Sequence, residues 1–305
     1  MRLCLGSVVV VAVLGASGLV GSAVVRGWAG RVDVRAPSHA ELDVLDFARL
    51  SEFVAATDAE VVLNLVAWAD VDGAEAQLGD DSGLAYRLNA ELPGRLGALC
   101  RTHGKYLVHV STDYVFDGEN ETRPYREDDP TGPLCWYART KELGERALRR
   151  EDETACVARV EMPFTAYAHH KRDFARTCLA RFEAGQEIAG VTDQRITPVL
   201  LDDAVQALAR LIEVRFQGTV HMAPTAWSTP FDFARGIATR LGSDAALVRA
   251  DSFDRFSRER PARRPRHSWL DVTLARQVIG EGVLRSVDEQ LDAWAAQVLA
   301  VAARA

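Results

Sequence analysis

Apolar residues in the first half of the chain fall in short, nearly continuous Val-rich runs, separated by longer stretches with an apolar position every third or fourth residue. A short unbroken run suits a strand covered on both faces, and the wider spacing suits a helix with one buried stripe. The alternation predicts strands near Val8–Leu14, Val32–Arg35, Val61–Leu65, Tyr106–Val110 and Ala155–Val160 with helices between them, Leu19–Trp28 first. The stretch Ser82–Arg101 also has helical spacing, with Pro93 expected to kink it or to mark a helix start. Repeated βαβ units specify an α/β fold, a Rossmann-type doubly wound parallel sheet. Beyond the fifth run the rhythm loosens, and helices at about Phe174–Ala184, Asp202–Val214 and Phe231–Leu241 are separated by single strand-like runs. The expected organisation is a sheet domain over 1–165, rejoined by segments around 188–220, and a smaller lobe made mainly from 166–305.

Composition narrows the partners. The 305 residues are 48% hydrophobic and 26% charged, which is globular and sufficient for a sizeable core. A formal net charge of -7 gives no overall basic field, so nucleic acid and an anionic membrane surface are not expected partners. Five cysteines without a C-x-x-C pair do not describe a disulfide framework and fit a reducing compartment, the cytoplasm. One Arg followed by a long apolar run at the start resembles an export signal. That run is shorter than the ~20 residues a spanning helix needs. It also leads directly into a glycine loop that cleavage would destroy, so it reads as a strand.

The loop is Gly15-x-x-Gly18-x-x-Gly21, with Ser17, Leu19 and Val20 at its variable positions, between the first strand and the first helix. Glycines permit a tight turn and let backbone N–H groups approach a pyrophosphate at the positive end of a helix, so this is an expected NAD(P)-binding loop. Its spacing differs from the more usual G-x-G-x-x-G. Cofactor choice depends on the tip of the second strand. There Arg35 and Ser38 favour the 2′-phosphate of NADPH, while Asp33 lies within the strand; NADH is the alternative.

The densest chemical signal is Ser111-Thr112-Asp113-Tyr114-Val115-Phe116-Asp117-Gly118, followed by Tyr137-Ala138-Arg139-Thr140-Lys141. Thr112 falls at the carboxyl end of a strand, where open α/β sheets bind ligands. Tyr137 and Lys141 are four apart and share a helix face. Reduction of a carbonyl by a nicotinamide needs a proton as well as a hydride, and a tyrosine can supply the proton. Its usual pKa near 10 is too high for balanced transfer at neutrality. An ammonium ~4 Å away at an effective dielectric of ~20 contributes roughly 4 kcal/mol, enough to lower that pKa by about three before screening. The expected catalytic set is Tyr137 as proton donor, Lys141 as its activator and Thr112 as a hydrogen-bond donor to the substrate oxygen.

These residues resemble the extended short-chain dehydrogenases, in particular the dTDP-4-dehydrorhamnose reductase family and its relatives, which include the regulatory β subunit of methionine adenosyltransferase. The resemblance runs nearly end to end. It includes GASGLVG, Leu42-Asp43-Val44-Leu45-Asp46, Asn64, Asp70-Val71-Asp72-Gly73-Ala74-Glu75, STDYVFDG, Pro124-Tyr125-x-Glu127, YARTK, Asp193-Gln194, Gly218-x-x-His221 and Arg264 to Asp271. It implies Thr112, Tyr137 and Lys141 as the catalytic set, Asp43 and Val44 at the adenine, and Val66, Ala67 and Trp68 along the cofactor; Asn89 is a further recurrent family position. The implied activity is NADPH-dependent reduction of a ketone, at C4, on a nucleotide-linked deoxysugar, dTDP-linked by family habit, with Asp113, Tyr114 and Val115 beside Thr112 on the sugar side. A non-catalytic NADP-binding regulatory subunit and a sugar-nucleotide epimerase or dehydratase are the alternatives within the superfamily. The resemblance also allows a homodimer.

Departures from the family pattern collect where a sugar would lie. Arg159-Val160-Glu161-Met162-Pro163-Phe164 stands where the rhamnose enzymes show a run like RTSWVY, which puts Met162 at an aromatic sugar-contacting position. Ile196-Thr197-Pro198-Val199 replaces G-x-PT, and Trp68-Ala69 replaces a Tyr-Thr pair. Six arginines between Arg255 and Arg266 form one basic loop, and Arg263 and Arg266 are the expected diphosphate contacts. His169-His170 lacks ligand-spaced partners and reads as a loop, so no metal is expected. Cys135 has no base beside it and reads as packing, and Asp113 and Asp117 read as local hydrogen-bond acceptors.

Overall fold

A computed structural model describes residues 9–303 of the chain. Six parallel strands form the main sheet in the order β2-β1-β3-β4-β5-β7. They are β1 Val10–Leu14, β2 Asp33–Arg35, β3 Val61–Asn64, β4 Tyr106–Thr112, β5 Cys156–Val160 and β7 Gly218–Met222. β6 Ile188–Val191 and β8 Val248–Asp251 pair in parallel as a separate two-stranded sheet. The part of the expected first strand at Val8 lies outside the described residues. β3 and β5 are buried at every position, as strands covered on both faces must be.

Each sheet face has its own apolar cluster. On one, Val11, Val13, Leu63 and Val108 meet the helices Leu19–Trp28 and Leu201–Glu213 through Val24, Trp28, Leu208 and Leu211. The Trp28 indole also donates to the Val205 carbonyl at 3.3 Å. On the other, Leu14, Val62 and Leu107 meet Leu50, Leu92, Leu96 and Leu148. The smaller lobe has a third cluster built on Phe164, Phe182, Phe233, Ile237, Leu291 and Trp294. The return of the chain to the main sheet is made by Leu201–Glu213 and β7; β6 instead faces β8 in the lobe.

Two local differences from the sequence expectation bear on the site. β4 extends two residues past Val110, because Thr112 pairs with Val160 of β5, so Thr112 is the last residue of the strand. The stretch 84–102 is one continuous helical run that widens to π geometry at Arg87–Glu91 before continuing as an α-helix over Leu92–Thr102. Pro93 has no N–H to give the Asn89 carbonyl four residues earlier, and one extra residue in the turn accommodates that loss without ending the helix.

The helix Trp136–Glu151 lies on this run with an unusual buried face, which carries Thr140, Lys141, Glu142 and Glu145 along with Trp136, Ala138, Gly144 and Leu148. Gly144 is where the two backbones meet, since a Cβ there would lie 2.0 Å from the Asn89 carbonyl oxygen. Gly144→Ala should therefore destabilise the protein by about 1–3 kcal/mol by forcing the helices apart. A urea melt that leaves the midpoint unchanged would mean that this contact has slack.

Candidate active site

In the order β2-β1-β3-β4 the chain leaves β1 toward one side and β3 toward the other, and the crevice this opens at the carboxyl ends of these two strands is where such sheets bind ligands. A groove of about 930 Å³ runs there, lined by Leu14, Gly15, Ser17, Ser38, Asp43 and Val66 among others. Gly15 has φ +82°, and a Cβ on it would sit 2.9 Å from the Val66 N–H nitrogen, so only glycine fits between β1 and β3. Gly21 is equally tight, its Cβ position falling 2.2 Å from the Gly15 carbonyl oxygen. The ten-residue helix that follows begins at Gly18 with no side-chain cap, which leaves its first N–H groups free to receive an anion. Gly18, Leu19 and Val20 form that start. A narrow glycine cradle, free N–H groups and an apolar bed from Val44, Leu45 and Val66 fit a dinucleotide.

Of the two contacts expected at the second strand, Arg35 is corrected and Ser38 stays at the groove. Arg35 turns away from the groove and binds Asp58 through Nε at 3.0 Å and Nη2 at 2.7 Å. Ser38 does line the groove, but its N–H and hydroxyl both donate to Glu41, each at 2.8 Å. The cations that line the groove are Arg26, whose guanidinium stacks 3.7 Å over the Tyr167 ring, and the ionisable His39. The Asp43 carboxylate accepts from Leu45 N–H at 3.0 Å and so shapes the turn at the groove wall.

Asn89 is completely buried and does not reach the groove. Its amide clamps the backbone of one residue at both ends, accepting from Trp68 N–H at 2.9 Å and donating to the Trp68 carbonyl at 3.0 Å. It also donates to Thr140 at 3.1 Å, and Thr140 in turn donates to the Tyr137 carbonyl at 2.9 Å. Asn89 thus fixes the turn Val66-Ala67-Trp68 relative to the helix that carries Tyr137 and Lys141.

At the end of β4 the Thr112 hydroxyl donates to Asp113 at 3.0 Å and accepts from Tyr114 N–H at 3.2 Å. Burial raises the Tyr137 phenol above its usual pKa, and the neighbouring Thr112 hydroxyl opposes that rise. Tyr114 packs edge-on against Tyr137 with ring centroids 5.8 Å apart. Lys141 lies on the same helix face, 2% exposed, but its ammonium nitrogen is not bonded to Tyr137. It donates to the Val110 carbonyl at 2.9 Å and lies 3.3 Å from His109 Nε2. Burial pushes Lys141 down to about 8, with Glu145 acting in the other direction.

The sugar-side expectations divide. Asp113 is buried, its pKa raised well above the carboxylate range first by burial and then by the charge of Glu161. Glu161, in turn pushed up to about 7 by burial, accepts from Thr197 N–H at 2.6 Å and from Ser268 at 2.9 Å. Val115 is a correction: its side chain belongs to the core and has no exposed surface for a ligand. Met162 is half-buried in a left-handed backbone conformation, φ +39°. In the basic loop Arg263 is exposed, whereas Arg266 is bound to Asp254 and lies 3.7 Å from Asp193, so its charge is already answered. The arginine that reaches the site is Arg264, which the sequence did not single out. It forks onto Asp72 at 3.0 and 2.8 Å, and its charge counters the rise that burial imposes on Tyr114.

Sequence reasoning also passed over the loop after β5. His169 Nε2 lies 3.1 Å from the Ser17 carbonyl and Lys171 donates to the Ala69 carbonyl at 3.1 Å, so this loop spans the groove mouth. The run of basic residues at 169–172 was the available signal.

Residues 9–299 match the family described as the RmlD substrate binding domain. The chain is 32% identical over 287 residues to a probable low-salt glycan biosynthesis reductase of Haloferax volcanii, covering 88% of this chain and 91% of that protein. It is 34% identical over 295 residues to the dTDP-4-dehydrorhamnose reductase of Mycolicibacterium smegmatis, covering 94% and 86%. A crystal structure of a dTDP-4-dehydrorhamnose reductase from Clostridium acetobutylicum, 27% identical, superposes with a TM-score of 0.86 over 95% of this chain and 99% of that one. One from Bacillus anthracis, in complex with NADP and 23% identical, has the same TM-score and covers 95% and 100%. No helix among the described residues is long and apolar enough to cross a membrane. With the glycine cradle, the strand-end Thr and the Tyr–Lys helix in the positions the motifs require, the chain belongs to the RmlD family of extended short-chain dehydrogenases.

Proposed function

We propose that this protein reduces the C4 ketone of a dTDP-linked deoxysugar with NADPH, the main sheet holding the cofactor and the smaller lobe the sugar. The observation that carries the reading is the docking of the Tyr–Lys helix on the carboxyl end of β4, where Tyr137 packs edge-on against Tyr114, two residues after Thr112, and Lys141 donates to the Val110 carbonyl. The relatives described above, which match most of the chain, are named as reductases, three of them dTDP-4-dehydrorhamnose reductases. NADPH follows from the complex of the Bacillus anthracis relative and from the positive charge that Arg26 gives the groove. Here the cofactor rests on Gly15, Ser17, Gly18 and the N–H groups of Leu19, Val20 and Gly21, with Asp43 and Val44 at the adenine end and Val66, Ala67 and Trp68 beside the nicotinamide end.

When bound, the reduced cofactor supplies a hydride to the carbonyl carbon. The chain's own residues do the rest. Thr112 donates to the carbonyl oxygen and fixes its direction as charge develops there. Tyr137 gives that oxygen its proton, and Lys141 in its charged form stabilises the phenolate left behind. Asp113, Tyr114 and Met162 shape the sugar side, and Arg263 is the arginine of the expected pair free to meet a diphosphate. Cytoplasmic residence and a homodimer complete the reading.

NADPH oxidation against a panel of nucleotide-linked 4-keto sugars tests the activity, and no turnover with any of them would overturn it. Tyr137→Phe should bind NADPH as the wild type does and lose about 10²–10⁴-fold in kcat. A variant that keeps more than about a tenth of the rate would remove Tyr137 as the proton donor. Arg35→Ala should leave the ratio of kcat/KM for NADPH over NADH within about threefold of the wild type, because its guanidinium serves Asp58. A tenfold fall in that ratio would show that Arg35 leaves Asp58 for the 2′-phosphate.

A further inference from the structure

Behind the Tyr–Lys helix, three buried side chains form a line across the sheet: Asn64 at the end of β3, His109 in β4 and Lys141. Asn64 and His109 are 0% exposed and Lys141 is 2% exposed. The Asn64 amide lies 3.0 Å from His109 Nδ1, and His109 Nε2 lies 3.3 Å from Lys141 Nζ. The direction of these bonds can be assigned from one end. Val66 N–H donates to the Asn64 side-chain oxygen at 3.1 Å, and a backbone amide can only donate. The other amide atom of Asn64, which faces His109, is therefore the NH2 group and donates to Nδ1.

A neutral imidazole carries one proton, so an accepting Nδ1 places it on Nε2. That N–H points at Lys141. A charged ammonium has three donors and no lone pair, and facing Nε2–H it would leave two donors opposed in a site without water-exposed surface. A neutral amine has the lone pair that Nε2–H needs, and its own N–H still serves the Val110 carbonyl at 2.9 Å.

We propose that His109 is a positioning residue that holds Lys141 as a neutral amine in the cofactor-free protein, so that cofactor binding is accompanied by proton uptake at Lys141. The second half rests on the reductase reading, in which Lys141 works as a cation. The other groups around the lysine are consistent with it. Glu145 on the same helix favours the cation but is engaged by Arg159 of β5 at 2.7 and 3.0 Å, and Tyr137 carries no charge in its protonated form. Burial keeps His109 well below its usual pKa and lowers Lys141 from the ordinary lysine range. The glycine loop is part of the same line, because Gly15 packs on the Leu65–Val66 peptide whose N–H fixes Asn64.

The tautomer is read by ¹⁵N NMR of the histidine rings in the free wild-type protein between about pH 6 and 9. Protonated Nε2 with bare Nδ1 at His109 is expected; protonated Nδ1, or an imidazolium, overturns the proposal whatever the protein's activity. Calorimetry of NADPH binding in buffers of different ionisation enthalpy should then show about half to one proton taken up per dinucleotide near pH 8.5. Binding without uptake refutes the linkage while leaving the reductase reading intact, and failure to bind NADPH refutes both the reading and the linkage. Asn64→Asp reverses the line, since its carboxylate takes Nδ1–H and turns the Nε2 lone pair toward Lys141. That variant should bind NADPH with less than half the wild-type uptake, and equal uptake would overturn the role assigned to His109.

Discussion

The ion pair between Glu145 and Arg159 is the constraint on which the catalytic edge depends. Both side chains are almost without exposed surface, 4% and 3%, and they meet through two parallel hydrogen bonds between the Tyr–Lys helix and β5. Burial alone would raise Glu145, but the charge and hydrogen bonds of Arg159 more than offset it and hold the carboxylate ionised. Removing either partner would strand the other in a low-dielectric site, at a cost of about 3–5 kcal/mol. The helix therefore has one seating on the sheet, and that seating places Tyr137 against Tyr114, just beyond Thr112 at the end of β4.

Around that seating, the site is held by bonds that act at one remove. Asn89 clamps both backbone groups of Trp68 and reaches Thr140, so the turn after β3 and the helix bearing Tyr137 move as a unit. The π turn at Arg87–Glu91 is what brings the Asn89 side chain under Trp68 while its carbonyl meets Gly144. A regular α-helix through this stretch would rotate Asn89 by about 100° and break both contacts. Pro93 enforces the departure from regular geometry, which gives a proline in mid-helix a purpose in the site.

Much of this was legible in the sequence, and the limits have physical causes. Strands buried on both faces announce themselves as unbroken apolar runs, so β1, β3, β4 and β5 were located to within two residues. The glycine loop, Thr112, Tyr137 and Lys141 are local patterns with local geometric consequences. Arg35 was misread because position near a strand tip does not say which side of the strand a residue faces; Asp58, 23 residues later, decides it. Val115 was misread for a related reason: in the short 3₁₀ turn Asp113–Val115 the side chains diverge, and Val115 turns into the core. Lys141 was expected to face the phenol, but its partners His109 and Val110 belong to a strand about thirty residues away, beyond what helical spacing can reveal.

The same distinction applies to selectivity. Arg264 enters from the smaller lobe and forks onto Asp72, while Ala262 N–H bonds the same carboxylate at 3.2 Å, and this anchors the basic loop beside Tyr114. Ala262, Cys135, Val71 and Tyr114 then pack around Tyr137. Tyr137 is thus enclosed by residues from both parts of the chain. A buried Glu161 tied to Thr197 and Ser268 fixes three such segments in one arrangement. A pocket with committed polar groups rejects ligands that leave those groups unpaired, so under the proposed reading changes at these positions would alter which sugar fits without altering how a ketone is reduced.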